Sequence, residues 1–139
     1  MVERINARND TARAVTENEH FSRNQLVVES MNNDPLIKGE SEATQTAKVM
    51  IDAATRLHRE FPLIKLPVLI LHGTEDKATN PSGSRFFYDN AGSTDKTLKL
   101  YEGHYHDLLN DLDKEIVMAD INDWIDTRVS VTRAKSAAL

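Results

Sequence analysis

The chain has 139 residues, with 17 Lys plus Arg against 22 Asp plus Glu, a formal net charge of −5 and no cysteine. One domain fits that length, and a chain near 150 residues buries roughly two-thirds of the surface it exposes when unfolded. The acidic balance argues against a nucleic-acid or anionic-membrane surface, and the missing cysteines exclude disulfides, Cys-ligated zinc and thiol nucleophiles.

Along the chain the composition changes near Pro62: polar and without a strand-like run before it, strand candidates alternating with helices after it. Residues 1 to 33 carry scattered apolar positions and a short helix around Asn24 to Met31. Asn32-Asn33-Asp34-Pro35 follows as turn chemistry, because Asx side chains bond locally and the residue before proline is pushed out of the α region. Ala43, Ala47, Met50, Ala54, Leu57 and Phe61 recur in alternating steps of four and three, the mark of one helical stripe expected to pack on another element. Ser41 is the expected N-cap of that helix, Glu42 lies in its first turn, and Pro62 ends it.

Leu66-Pro67-Val68-Leu69-Ile70-Leu71-His72-Gly73 reads as a strand buried on both faces, with Pro67 tolerated only near its start. Asn80-Pro81 supplies a cap and a first-turn proline for a helix through Phe86, Phe87 and Tyr88, closed by Gly92 at its C-terminus. The Phe86-Phe87 pair and Trp124 are expected in the core. Thr97 to Tyr101 is a second short strand, and a last helix starts near Asp113 with Ile116, Val117, Ile121, Trp124 and Ile125 on one face. Residues 130–139 read as a frayed tail. Strand, helix, strand, helix predicts an α/β crossover unit with two parallel strands. The longest apolar run, Leu66 to Leu71, is too short for a bilayer, and Met1-Val2-Glu3-Arg4 opens no signal-peptide core. A soluble, cytoplasmic chain without a transmembrane segment is the expectation.

Reactive residues in open α/β sheets gather at the carboxyl ends of the strands. Two loops leave such ends here: His72-Gly73-Thr74-Glu75-Asp76-Lys77, and Tyr101-Glu102-Gly103-His104-Tyr105-His106-Asp107. If the strands are parallel neighbours, an Asp from one loop and a His from the other can meet. A carboxylate on one imidazole nitrogen fixes the tautomer and stabilises the imidazolium formed in proton transfer.

These loops, with Pro81-Ser-Gly-Ser, Ser22-Arg23-Asn24 and Asn33-Asp34-Pro35-Leu36, make roughly residues 20 to 128 similar to the C-terminal half of monoacylglycerol-lipase-like (lysophospholipase-like) α/β hydrolases. The resemblance implies a helical, cap-derived segment at 1–40, a C-terminal α/β-hydrolase segment at 41–129 and a tail at 130–139. It assigns the triad acid to Asp76 and the triad base to His106, in the Ser…Asp…His order of that fold. Ala78 and Asp107, beside them, are weaker candidates for touching an acyl or alcohol group. No cofactor or metal is implied. The substrate implied is an acyl ester or lipid, and the activity that of a serine carboxylic-ester hydrolase.

No Gly-x-Ser-x-Gly nucleophile elbow occurs in this sequence; Pro81-Ser82-Gly83-Ser84 lacks the preceding strand and the second glycine. The serine is therefore expected from a segment outside it. The alternative is a truncated, non-catalytic α/β interaction module or pseudoenzyme. Either way a central strand left with an open edge predicts a homo-oligomer or a complementary N-terminal fragment. Three blander expectations concern single residues. His72 packs or bonds backbone; His104 is a solvent-side neighbour of the base; Asp111-x-Asp113 is a helix start. A two-His-one-carboxylate metal site from His104, His106 and Asp76 stays open as an alternative to the acid–base pair.

Overall fold

The computed structural model describes the backbone of residues 17–37 and 44–137, and all their side chains except those at 44, 45, 47 and 131–137. A 3₁₀ turn (Asn18–His20) precedes α1 (Gln25–Asn33) and α2 (Thr44–Glu60). A second 3₁₀ turn (Phe61–Leu63) leads to β1 (Val68–Gly73), α3 (Pro81–Asn90), β2 (Lys96–Tyr101) and α4 (Lys114–Ala137). The expected cap Ser41, with Glu42 and Ala43, lies outside the described residues.

Local chemistry explains the element ends. The Asn24 side chain accepts the Leu26 amide and opens α1, and Asp34, extended before Pro35, closes it and accepts the Leu36 amide at 2.8 Å. Pro62 cannot sit in a helix interior, so α2 stops at Glu60 and the 3₁₀ turn carries the proline. Asn80 accepts the Ser82 amide, and Pro81 occupies the first turn of α3.

β1 and β2 pair in parallel, from Val68 opposite Lys96 to Gly73 opposite Tyr101, with α3 as the crossover. The strand–helix–strand unit is thus the one the sequence predicts. α4 is fastened to it by polar contacts: Lys99 and the Tyr101 hydroxyl both donate to Asp120, and Arg128 pairs with Asp95. Asp120 sits below the usual carboxylate range because Lys99 and Tyr101 donate to it. Burial and the same carboxylate push the Tyr101 hydroxyl upward. Apolar burial is small and falls on Val28, Ile70, Ala91, Tyr101 and Val117.

Several expectations about packing are corrected. In β1 only Ile70 and Gly73 are buried, because among the described residues the strand has one neighbour rather than two. Of the described stripe residues, Met50 is 58% exposed and Ala54 and Leu57 are exposed, as are the neighbouring Val49 and Ile51, while Phe61 packs on Phe87. On α4, Val117 is fully buried but Ile116 and Ile125 are not, and the helix runs on to Ala137 through the stretch read as a frayed tail. Phe87 stacks on Phe61 at 4.6 Å, whereas Phe86 stays exposed beside His58. Gly92 is not the left-handed cap of α3: the helix closes on Ala91, whose amide donates to the Phe87 carbonyl. Glycine is needed there for a different reason, since a Cβ on residue 92 would sit 2.0 Å from the Pro62 carbonyl oxygen.

Candidate active site

Parallel pairing puts the carboxyl ends of β1 and β2 side by side, and their loops are stitched together at once. The Thr74 amide donates to the Tyr101 carbonyl at 2.9 Å, the Glu75 amide to the His104 carbonyl at 3.0 Å, and the Gly103 amide to the Thr74 hydroxyl at 2.9 Å. Gly73 makes this approach possible. A Cβ at that position would lie 2.2 Å from the His104 carbonyl oxygen and 2.4 Å from that of Tyr105.

The loop after β1 then turns on Asp76, whose side chain is 3% exposed. Its Oδ1 accepts the amides of Ala78 and Thr79 at 2.8 Å each; its Oδ2 accepts the Thr79 hydroxyl at 2.8 Å. His106 Nδ1 and His72 Nε2 both reach the same Oδ2 at 2.9 Å. Burial raises the Asp76 pKa, but the donors from Thr79, His106 and Ala78 outweigh it and hold the carboxyl below its ordinary range. An ionised carboxylate only accepts, so His106 Nδ1 carries the proton and its Nε2 keeps a lone pair. The ring is 36% exposed, within reach of an incoming hydroxyl.

His106 is framed from its other side by the segment ahead of α1. The Phe21 ring meets the imidazole edge-on at 5.2 Å, and the Phe21 carbonyl accepts the Asp107 amide at 2.8 Å. Beneath the loop Asp111, 1% exposed, accepts the amides of Tyr105 at 2.9 Å, Arg23 at 2.7 Å and Leu112 at 2.9 Å, together with Arg23 Nε at 2.9 Å. Burial raises its pKa, yet the Tyr105, Arg23 and Leu112 donors outweigh it and hold the carboxyl below its ordinary range. Asp111 is therefore an internal anchor rather than a helix start. The left-handed residue before α4 is Asp113, with φ of 60°.

The structure brings Asp76 and His106 together and keeps His104 apart from them. His104 is 6% exposed with its ring against Tyr101 at 5.5 Å, which corrects the solvent-side expectation. The cause is the backbone crossing at Gly73, which turns the 104 side chain under the loop. A chelating His104–His106 pair is thereby removed, and among the described residues no group of three or more His, Asp or Glu is placed to hold a metal ion. Ala78 and Asp107 flank the pair with their amides already used inside the chain, and Asp107 Oδ2 accepts from Asn110 at 2.8 Å. His72 was expected to pack or bond backbone; instead it bridges Ser84 and Asp76. Its position at the end of β1, just before the close-packed Gly73, is the sequence signal for that placement.

A family model described as "Serine aminopeptidase, S33" matches residues 4–113. Monoglyceride lipase of Rattus norvegicus is 34% identical over 117 residues, which are 83% of this chain and 39% of the rat protein. Caffeoylshikimate esterase of Arabidopsis thaliana is 38% identical over 95 residues, 66% of this chain and 29% of that protein. The crystal structure of Paleococcus ferrophilus monoacylglycerol lipase superposes with a TM-score of 0.76 at 30% identity, covering 82% of this chain and 44% of that one. The chain spans less than half the length of these relatives.

Proposed function

We propose, from the premise that this chain belongs to the serine aminopeptidase S33 family and is a monoglyceride lipase-like α/β hydrolase, that it supplies the acid and the base of a carboxylic-ester hydrolase. His106 is the base and Asp76 the acid that orients it. A serine on an elbow outside this sequence attacks the ester carbonyl carbon and gives its proton to His106 Nε2; the imidazolium passes that proton to the departing alcohol. Water then repeats the cycle on the acyl-enzyme, with the carboxylic acid as product and the serine restored. Asp76 stays ionised throughout, consistent with the donors that hold its pKa down. The substrate class is a monoacylglycerol or a related acyl ester, by analogy with the relatives. Ala78 and Asp107 border the place it would occupy.

The observation that carries this reading is the 2.9 Å contact between Asp76 and His106 at the paired strand ends, with Nε2 left as the accepting nitrogen. The open edge of β1 and the exposed Leu63 and Leu66 support a working form in which a further segment adds to the sheet. A second copy pairing through that edge, without catalysis, is the competing form. Among the described residues no helix is long and apolar enough to cross a membrane. The test mixes this chain with an N-terminal fragment of a monoglyceride lipase carrying its Gly-x-Ser-x-Gly elbow, and follows a chromogenic short-chain ester and fluorophosphonate labelling. Turnover that needs both pieces and disappears with His106→Ala is expected. Turnover by the mixture that survives His106→Ala would sink the base assignment. Dimers with no turnover in any mixture would favour the non-catalytic module.

A further inference from the structure

The carboxylate that orients His106 has a second imidazole on the same oxygen. His72, the last residue of β1 before Gly73, places Nε2 2.9 Å from Asp76 Oδ2, and its Nδ1 lies 2.6 Å from the Ser84 hydroxyl in α3. Its side chain is 12% exposed. Because an ionised Asp76 cannot donate, Nε2 must carry the proton; a neutral imidazole then has only Nδ1 left as acceptor, so Ser84 donates to it. Ser84 donates to His72, and His72 and His106 both donate to Asp76, in one hydrogen-bonded chain running from α3 across the end of β1 to the loop after β2.

We propose that His72 is a positioning residue for the acid–base pair: its Nε2–H, fixed by Asp76 while Ser84 donates to Nδ1, holds Asp76 Oδ2 toward His106 and takes a share of that oxygen's negative charge. This rests on the reading of Asp76 and His106 given above. Three donors meet at Oδ2, from Thr79, His72 and His106, and two more occupy Oδ1. A carboxylate oxygen has about two lone-pair directions, so the donors on Oδ2 compete. The consequence is that His106 shares Oδ2 with His72 and Thr79 rather than holding it alone. Other charged groups near the loop are committed elsewhere. Lys77 donates to the Tyr105 hydroxyl, Asp107 accepts from Asn110, and Arg23 and Asp111 pair beneath the backbone; Glu75 points to solvent.

Removing His72 leaves Oδ2 to Thr79 and His106, so the His106 Nδ1–H should bond it more tightly. The test is an imidazole-labelled NMR titration of the intact chain and of His72→Leu, His72→Gln, Ser84→Ala and Asp76→Asn, with far-UV circular dichroism as the folding control. His72→Leu is expected to move the His106 Nδ1–H resonance downfield. His72→Gln keeps an N–H at the Nε2 position and should return that resonance close to its parent position. Ser84→Ala should leave the fold intact and the His72 proton on Nε2, visible in its ring nitrogen shifts. A folded His72→Leu with an unmoved His106 Nδ1–H resonance overturns the proposal, leaving His72 a strut between β1 and α3. Should His72→Leu unfold, ring nitrogen shifts that put the His72 proton on Nδ1 in the intact chain overturn it instead. Fluorophosphonate labelling of Ser84 would also overturn it, since His72 would then be serving a nucleophile. If Asp76→Asn leaves His106 unmoved, the acid–base pair itself is wrong, a result distinct from the failure of His72 alone.

Discussion

The loops after β1 and β2 satisfy their buried carboxylates from within the chain, although His104 Nδ1 is buried without a partner, whereas α2 leaves apolar groups to solvent. Asp76 collects donors from His72, Ala78, Thr79 and His106, and Asp111 collects Arg23, Tyr105 and Leu112. On α2, Val49, Met50 and Ile51 are all more than half exposed. The difference follows from the range of the two forces. Hydrogen bonds are short and directional, so a few neighbouring loops can close a network. Apolar cover is paid by area, which must come from whole elements packed on that face.

The largest effect is expected at Asp111. Asp111→Ala strips a fully buried carboxylate from Arg23 and leaves the Tyr105 and Arg23 amides without their acceptor. Urea unfolding should show a loss of about 3–5 kcal/mol, and loss of under 1 kcal/mol would mean that the anchor is dispensable. Next comes Gly73→Ala, whose Cβ would press on the His104 and Tyr105 carbonyls. It should cost about 1–3 kcal/mol as overpacking and separate the loops, so that the His106 imidazole loses its downfield Nδ1–H resonance.

Acid is a milder probe of the same region. Asp76 and Asp111 both have folded pKa values below the ordinary 3.8. Their stabilisation is therefore complete above that range and is lost as pH falls through the lower, folded values. Urea midpoints should hold between pH 5 and 7 as far as these groups are concerned, and drop below about pH 4. The smallest effects belong to α2. Lys48→Ala removes an exposed pair with Asp52, 2.6 Å long, and should cost about 0.3–0.5 kcal/mol. Met50→Ser should alter the stability of this chain by no more than about 0.5 kcal/mol, read from the urea midpoint. A large stability loss at Met50 would break the contrast between the two regions.

The elements were legible because their signals are local. Asn24, Asn80 and the prolines at 35, 62 and 81 act through neighbours within a turn, and the ends of α1, α2 and α3 fall where these residues put them. The pairing of Asp76 with His106 was legible for a related reason: two parallel strands align their carboxyl ends, so the loops that follow them converge. The role of Gly92 was misread because its constraint is Pro62, a contact that no local turn rule contains.

What the sequence determined by itself was the order of elements, the parallel strand pair and the meeting of Asp76 and His106 at the neighbouring strand ends. Tertiary structure alone decided which side chains stand behind them. His72 and Asp111 look like ordinary loop or helix-end residues until chain reversal brings Ser84 to one and Arg23 to the other, across 12 and 88 residues. Burial likewise could not be read from apolar periodicity. Periodicity marks which face of α2 or β1 seeks cover, but only the packed molecule shows whether another element supplies it.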